Sequence, residues 1–119
     1  MIKVRFRYHD STRYLRLTVE GHAGSDAIGH DLVCASATIL VYTVAQMVKH
    51  MEEQGKLVST PIVELSEGNA SIVIRCTDDE FFHEARHTFF VAQTGFALLA
   101  YNYPQFVDLK TVGKALIKP

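Results

Sequence analysis

Two residues in the first third of the chain carry the side chains that nucleophilic catalysis needs. His22 directly follows Gly21 and is two residues before Gly24, in residues 20–24 (EGHAG), and it comes after a strand-like alternation of apolar and polar residues. Cys34 lies in residues 29–35 (GHDLVCA), at the start of an apolar helical pattern. A thiol becomes a good nucleophile when a helix N-terminus favours its thiolate and an imidazole can take its proton. The pattern predicts a site with Cys34 as nucleophile and His22 as general base.

Asp31 is the first of the neighbouring candidates. It has the position of a helix N-cap, which would make residues 32–34 the first three of the helix. A carboxylate this close opposes formation of a thiolate. The alternative is that Asp31 holds the preceding loop or orients the imidazole of His22.

Thr38 and two glycines complete the candidate site. Thr38 lies one helical turn beyond Cys34, and its hydroxyl could donate a hydrogen bond in the site. It could equally bond the carbonyl group four residues before it, as helix threonines commonly do. Gly24 and Gly29 give the loop between His22 and the helix the freedom of a site that opens and closes.

A metal site built from His22, His30 and Cys34 is a weaker interpretation of the same segment. Zinc sites usually have tighter paired spacing and a fourth ligand, and no fourth ligand stands out here.

Residues 83–87 (HEARH) match the pattern HExxH of zinc proteases, with His83, Glu84 and His87 in the ligand and base positions. The chain has no later histidine to act as a third ligand. Helical geometry also turns the motif about 160° away from the apolar face of its helix. We therefore expect no metal and no cofactor.

The elements that position these residues follow from hydrophobic periodicity. Four segments alternate between apolar and polar residues and predict two hairpins: 2–8, 15–20, 61–65 and 71–75. Two segments have a helical repeat: 32–53, ended by Gly55, and a second that starts at the capping-box pattern 77–80 and stops before Tyr103-Pro104. A short strand over 106–109 is the last element. The order ββαββα predicts an α+β fold of two layers, with a mixed or antiparallel sheet from the two hairpins packed against two helices.

The helical repeats also predict which residues face the core. In the first helix the apolar stripe contains Ala37, Leu40 or Val41, Val44, Val48 and Met51. In the second helix it contains Phe81, Ala85, Phe89, Ala92, Phe96 and Leu99. The first half of the first helix is apolar nearly all round, which favours burial by the sheet and by a second subunit.

Size and composition narrow the class of protein. The 119 residues suffice for one domain, 48% are hydrophobic and 21% are charged, as in ordinary globular proteins. No apolar run approaches the ~20 residues of a membrane span, and a cytoplasmic location is expected. The net charge of −1 makes direct binding of nucleic acid an unfavoured function. The basic residues of the first hairpin are best interpreted as its solvated outer face, with contact to ribosomal RNA or an acidic partner as the alternative.

The candidate site carries a resemblance to a known family. The motif GHA at residues 21–23, the spacer to Gly29 and the motif DLVCA at residues 31–35 resemble those of the ribosomal-processing cysteine proteases (Prp). The resemblance continues through the order of elements to Gly95-Phe96 and Tyr103-Pro104.

This resemblance implies a bacterial cytoplasmic endopeptidase, homodimeric, with one cysteine-protease domain over residues 1–119. Its catalytic residues would be Cys34 and His22. Its substrate would be the N-terminal extension of bacterial large-subunit ribosomal protein twenty-seven, cut after an apolar, aromatic-rich motif.

The resemblance further implies a supporting role for Asp31 and a mobile loop over residues 23–30, which contains Gly24 and Gly29. Thr38 departs from the family, which commonly has serine there. Threonine keeps the hydroxyl but adds a methyl group and restricts χ1.

Two functions of other classes stay open. One is a non-catalytic ribosome-assembly factor that binds a ribosomal peptide in the same groove and uses the basic first hairpin. The other is a zinc hydrolase that uses residues 83–87.

Overall fold

The computed structural model describes residues 1–22 and 30–113, and the elements appear in the predicted order. The five strands are β1 (Ile2–His9), β2 (Tyr14–Gly21), β3 (Ile62–Ser66), β4 (Asn69–Arg75) and β5 (Val107–Val112). The two α-helices are α1 (His30–Glu53) and α2 (Asp79–Asn102). A short 3-10 turn, Asp10–Thr12, joins β1 to β2.

The strands form one sheet in the order β3-β4-β2-β1-β5. Neighbouring strands are antiparallel except β1 and β5, which run parallel. The predicted α+β fold is confirmed, with a mixed sheet built from two hairpins, two helices and a C-terminal strand. The two hairpins meet where β2 pairs with β4.

This pairing brings the end of β2 to the turn of the second hairpin. Glu20 of β2 lies opposite Asn69, the first residue of β4. The next residue, Gly21, consequently reaches Gly68 in the turn between β3 and β4. The register of β2 and β4 therefore places the end of β2 and the turn between β3 and β4 side by side, although they are distant in sequence.

The core lies between one face of the sheet and the two helices. Phe6 of β1 meets Phe89 and Phe96 of α2, with ring centroids 6.5 and 6.0 Å apart and the rings inclined by 84° and 62°. The buried stripe of α1 agrees with the prediction and uses Val41, while Leu40 is half-buried. In α2 the most buried phenylalanine of the first turn is Phe82, whereas the predicted Phe81 is half-buried.

The other face of the sheet is open to solvent. Lys3, Arg7 and Arg16 alternate with buried residues along β1 and β2 and are exposed, as expected for a solvated outer face. Binding of nucleic acid to this face stays an unfavoured prediction.

The helix ends follow local chemistry. Asp78 is the N-cap of α2 and accepts a hydrogen bond from the N–H of Phe81 at 2.9 Å, one residue later than the predicted capping box would place the cap. At the far end of α1, Gly55 has a φ of +72°, which explains why the helix stops where the sequence predicts.

The helix α1 is more apolar than the sequence analysis allowed. By length and composition, Asp31–Glu53 could cross a membrane, contrary to the expectation that no run approaches that length. In the fold this helix contributes Val33, Val44 and Val48 to the core, and each of them is fully buried.

Candidate active site

The backbone of His22 is held by three segments of the chain. β2 ends at Gly21, which has a φ of +102° and donates its N–H to the carbonyl oxygen of Gly68 at 2.9 Å. The carbonyl oxygen of His22 accepts a hydrogen bond from the nitrogen of Met1 at 2.6 Å. The position of His22 therefore depends on the start of β1, the end of β2 and the turn between β3 and β4.

The imidazole of His22 lies directly against Gly68. A β-carbon built at Gly68 would be 2.5 Å from Nε2 and 2.8 Å from Cε1 of His22, closer than non-bonded carbon atoms approach. Gly68 also has a φ of +73°, a conformation that favours glycine. A side chain at this position would displace the imidazole, so Gly68 is a positioning residue for His22.

Cys34 lies near the start of α1 and is half-buried. Because α1 begins at His30, Cys34 is its fifth residue, and Asp31 lies inside the first turn instead of at the N-cap. An acidic side chain within the first turn still interacts favourably with the helix dipole. The Cα–Cβ bonds of a helix tilt toward its N-terminus, where the first N–H groups have no partner within the helix. Asp31 is exposed, and its supporting role stays a prediction.

His22 and Cys34 line one cleft, with a volume of about 650 Å³. It is lined by residues of β1, β2, β3 and β4, of α1, and of the turn between β3 and β4. The lining residues are Ile2, Val19, Gly21, His22, Cys34, Ala37, Thr38, Val41, Tyr42, Leu65, Ser66, Glu67, Gly68, Asn69 and Ala70. The thiol and the imidazole that the sequence singled out are thus brought to the same concave surface.

Thr38 also lines the cleft, but its hydroxyl donates a hydrogen bond to the carbonyl oxygen of Cys34 at 2.8 Å. This is the ordinary bond of a helix threonine, one of the two interpretations of the sequence. Gly24 and Gly29 belong to the predicted mobile loop at residues 23–30, of which residues 23–29 lie outside the part of the chain that the structure describes.

The second cysteine has a different environment. Cys76 is 1% exposed, and burial, together with the nearby Asp78, raises the pKa of its thiol to about 11. A thiol with this pKa is almost entirely protonated near neutral pH and makes a poor nucleophile. The structure thus separates Cys34, which lines the cleft, from Cys76, which fills the core as the sequence predicts.

Two residues of the zinc-protease pattern contact other side chains of the protein. His83 Nδ1 lies 2.6 Å from Nη2 of Arg86, and Glu84 forms a salt bridge with Lys56 Nζ at 2.8 Å. His87 is exposed on the same helix. Among the side chains described, those of residues 1–22 and 31–113, no group of three or more His, Cys, Asp or Glu could hold a metal ion.

Sequence reasoning missed the contribution of the second hairpin. Leu65, Gly68 and Asn69 line the cleft, yet the sequence shows only that residues 67–69 form a turn. The turn reaches His22 because β4 pairs with β2, and this order of strands has no local sequence signal. Tyr42 was also missed, because the apolar first half of α1 does not reveal which of its sides faces the cleft.

A thiol and an imidazole that line one cleft are the two reactive groups of cysteine-dependent hydrolases. A family model described as cysteine protease Prp matches residues 1–108, and the chain therefore belongs to this family of cysteine proteases. No sequence among the curated proteins matches the chain.

Solved structures have the same fold. The essential ribosomal processing protease Prp from S. aureus, crystallised with a substrate peptide, has a TM-score of 0.66 and 20% identity, over 93% of this chain and 99% of that one. The same protease with a covalently linked product peptide has a TM-score of 0.65, with the same identity and coverage. SMU.848 from Streptococcus mutans has a TM-score of 0.65 and 24% identity, over 96% of each chain.

Proposed function

We propose that this chain is a cytoplasmic Cys–His endopeptidase that removes the N-terminal extension of bacterial large-subunit ribosomal protein twenty-seven during ribosome assembly. The observation that carries the proposal is one cleft lined by Cys34 and His22 in a member of a cysteine protease family. The S. aureus protease that shares the fold was crystallised with a substrate peptide and with a covalently linked product peptide, which supports a peptide substrate and a covalent step.

The proposed reaction divides hydrolysis between two covalent steps. His22 takes the proton of the Cys34 thiol, and the sulfur attacks the carbonyl carbon of the scissile bond to give a tetrahedral oxyanion. Backbone N–H groups of the first turn of α1 are the proposed donors to this oxyanion. His22 then protonates the leaving amine as the C–N bond breaks, and water hydrolyses the thioester to release the acid and restore the thiol.

The supporting parts of the proposal concern Asp31, Thr38 and the loop. Asp31, in the first turn of α1, is proposed to support the site without touching the reacting atoms. Thr38 holds its hydroxyl on the Cys34 carbonyl and so fixes the backbone that carries the nucleophile. The role of the loop that contains Gly24 and Gly29 concerns residues outside those described and stays a prediction.

A homodimer is proposed as the working form. Large apolar side chains are exposed on both helices: Ile39 at 62%, Val91 at 59%, Leu98 at 60% and Tyr101 at 84%. A second copy that covers them would remove this surface from water.

The test is cleavage of a synthetic peptide that spans the extension and the following residues of the ribosomal protein, analysed by mass spectrometry. Parallel reactions contain iodoacetamide or EDTA. A single defined cut that the alkylator abolishes and the chelator leaves intact supports the thiol endopeptidase. Peptide that binds but stays intact would favour the assembly factor, and loss of cleavage with EDTA alone would favour the zinc hydrolase.

A further inference from the structure

Among the strands of the described residues, β3 forms one edge of the sheet. It pairs with β4 on one side and is the last strand in the order β3-β4-β2-β1-β5. All five of its residues are exposed. The N–H and C=O groups along such an edge are a template for a further strand.

A second cleft, of about 560 Å³, separates this strand from α1. One wall comes from a single face of α1 and the other from β3 and the residues before it. The lining residues are Tyr42, Ala45, Gln46, Lys49, Glu52, Thr60, Pro61, Val63 and Leu65. Val63 and Leu65 point to this cleft from alternate positions of β3 and remain 39% and 42% exposed. The cleft is thus an elongated groove with an apolar wall that α1 does not cover.

The groove is continuous with the candidate active site. Tyr42 and Leu65 line both this groove and the cleft that contains His22 and Cys34. The groove alone, and not that cleft, is lined by Lys49, Glu52, Thr60 and Pro61. A chain that leaves the candidate active site along β3 therefore passes from Tyr42 toward Lys49 and Glu52.

We propose that an extended peptide substrate adds as a further strand to the outer edge of β3, with which no described strand pairs. The proposal rests on the peptidase function proposed above and names the surface that selects its substrates. Main-chain hydrogen bonds to β3 would hold the peptide independently of its sequence. Every second side chain of the peptide would enter the groove against Tyr42, Val63 and Leu65, which favours apolar or aromatic residues at alternate positions.

The length of β3 sets the length of peptide that is recognised. Its five residues span about 16 Å at 3.3 Å per residue, so about five substrate residues pair with it on one side of the scissile bond. The polar end of the groove, with Lys49 and Glu52, lies beyond the apolar wall. Substrates should therefore tolerate polar residues at the end of this segment farthest from the cut.

The test uses the Cys34→Ala chain, which cannot form the thioester, and a fluorescein-labelled peptide that spans the extension and the cut site. A series of peptides carries one N-methyl group each, on successive backbone amides. Strand addition predicts that alternate N-methyl groups weaken binding by about tenfold or more, while those between them have little effect. Uniform effects, or no binding of the parent peptide, would overturn the proposal.

Two neighbouring residues of β3 provide a matched pair of variants. Val63 faces the groove, whereas Ile62, 48% exposed, lies on the opposite face of the strand. Val63→Asn should weaken binding of the parent peptide by about tenfold, and Ile62→Asn should leave the Kd unchanged. Equal effects of the two variants, or pairing of β3 with a second copy of the chain, would overturn the proposal. Cleavage by the wild-type chain is measured separately, so its failure identifies an error in the proposed reaction and not in the groove.

Discussion

At the scale of single residues, the contact between His22 and Gly68 carries the most information about the site. The sequence identifies the imidazole and the thiol, because glycines flank one and a helix start precedes the other. It cannot identify Gly68, because the requirement for glycine there comes from the imidazole packed against it and not from the turn alone. The importance of Gly68 in the cleft thus depends on the side chain of His22, which is far away in the sequence.

Replacement of Gly68 by alanine should lower both the rate of catalysis and the stability of the fold, for two different reasons. The new methyl group would displace the imidazole of His22, and misplacement by about 1 Å can cost about 10²-fold in rate. We expect kcat to fall by about that factor, with a loss of about 1–2 kcal/mol in the free energy of unfolding from the left-handed backbone. Kinetics of peptide cleavage and urea denaturation measure the two effects.

Gly55→Ala is the matched control. Gly55 has almost the same φ, +72°, but a β-carbon there meets no atom within 4 Å. It should lose similar stability and keep its activity. An equal fall of kcat in both variants would show that strain, and not the position of His22, explains the result.

At the scale of elements, the hairpins and helices were predictable and their arrangement was not. Alternation located β1 to β4, and Gly55 and Tyr103-Pro104 located the helix ends, because these signals are local. The order β3-β4-β2-β1-β5 depends on how the apolar faces pack, and local patterns do not encode it. The sequence predicts Asp31 as the N-cap of α1, whereas the helix begins at His30 and has Asp31 in its first turn. The prediction was wrong because an acidic residue suits either position.

The parallel edge strand β5 depends on one charged pair for part of its attachment. Arg5 of β1 donates to the Oδ2 of Asp108 at 2.9 Å and to its carbonyl oxygen at 2.8 Å. The hydrogen bond to Arg5 lowers the pKa of the Asp108 carboxyl below its ordinary value. The folded state therefore gains stability from this carboxylate above the unfolded pKa of about 3.9, and loses it as the pH falls through the folded pKa.

Asp108→Asn should consequently lower the midpoint of urea unfolding at about pH 7, and the difference from wild type should shrink progressively as the pH falls below the unfolded pKa of about 3.9. Glu64→Gln, on the same outer face of the sheet, has no ion pair within the described residues and serves as the control. A difference for Asp108→Asn that persists unchanged in acid would contradict the ion pair.

At the scale of the whole molecule, the two faces differ in chemistry. The open face of the sheet is polar and basic, while the two helices expose large apolar side chains on the other side of the molecule. The all-round apolar character of α1 in the sequence is explained in part by the sheet, which covers only one side of it. The remaining apolar surface is the basis for the proposed homodimer.

Light scattering after gel filtration should give a mass near twice the 13.3 kDa of one chain. Leu98→Glu should shift the mass toward that of one chain, because a buried unpaired carboxylate opposes association. Val58→Glu is the control, since Val58 is 56% exposed on the connection between α1 and β3. A wild-type mass of one chain would exclude this dimer.

A pair of cysteine variants in the peptide cleavage assay decides whether Cys34 is the nucleophile. Cys34→Ala should lose at least about 10³-fold in kcat/KM, because the other thiol of the chain, that of Cys76, is buried. Cys76→Ala should cleave the same bond at nearly the wild-type rate, because its thiol is buried and protonated. Full cleavage by folded Cys34→Ala would show that Cys34 is not the nucleophile, as would cleavage that is lost in folded Cys76→Ala but kept in Cys34→Ala.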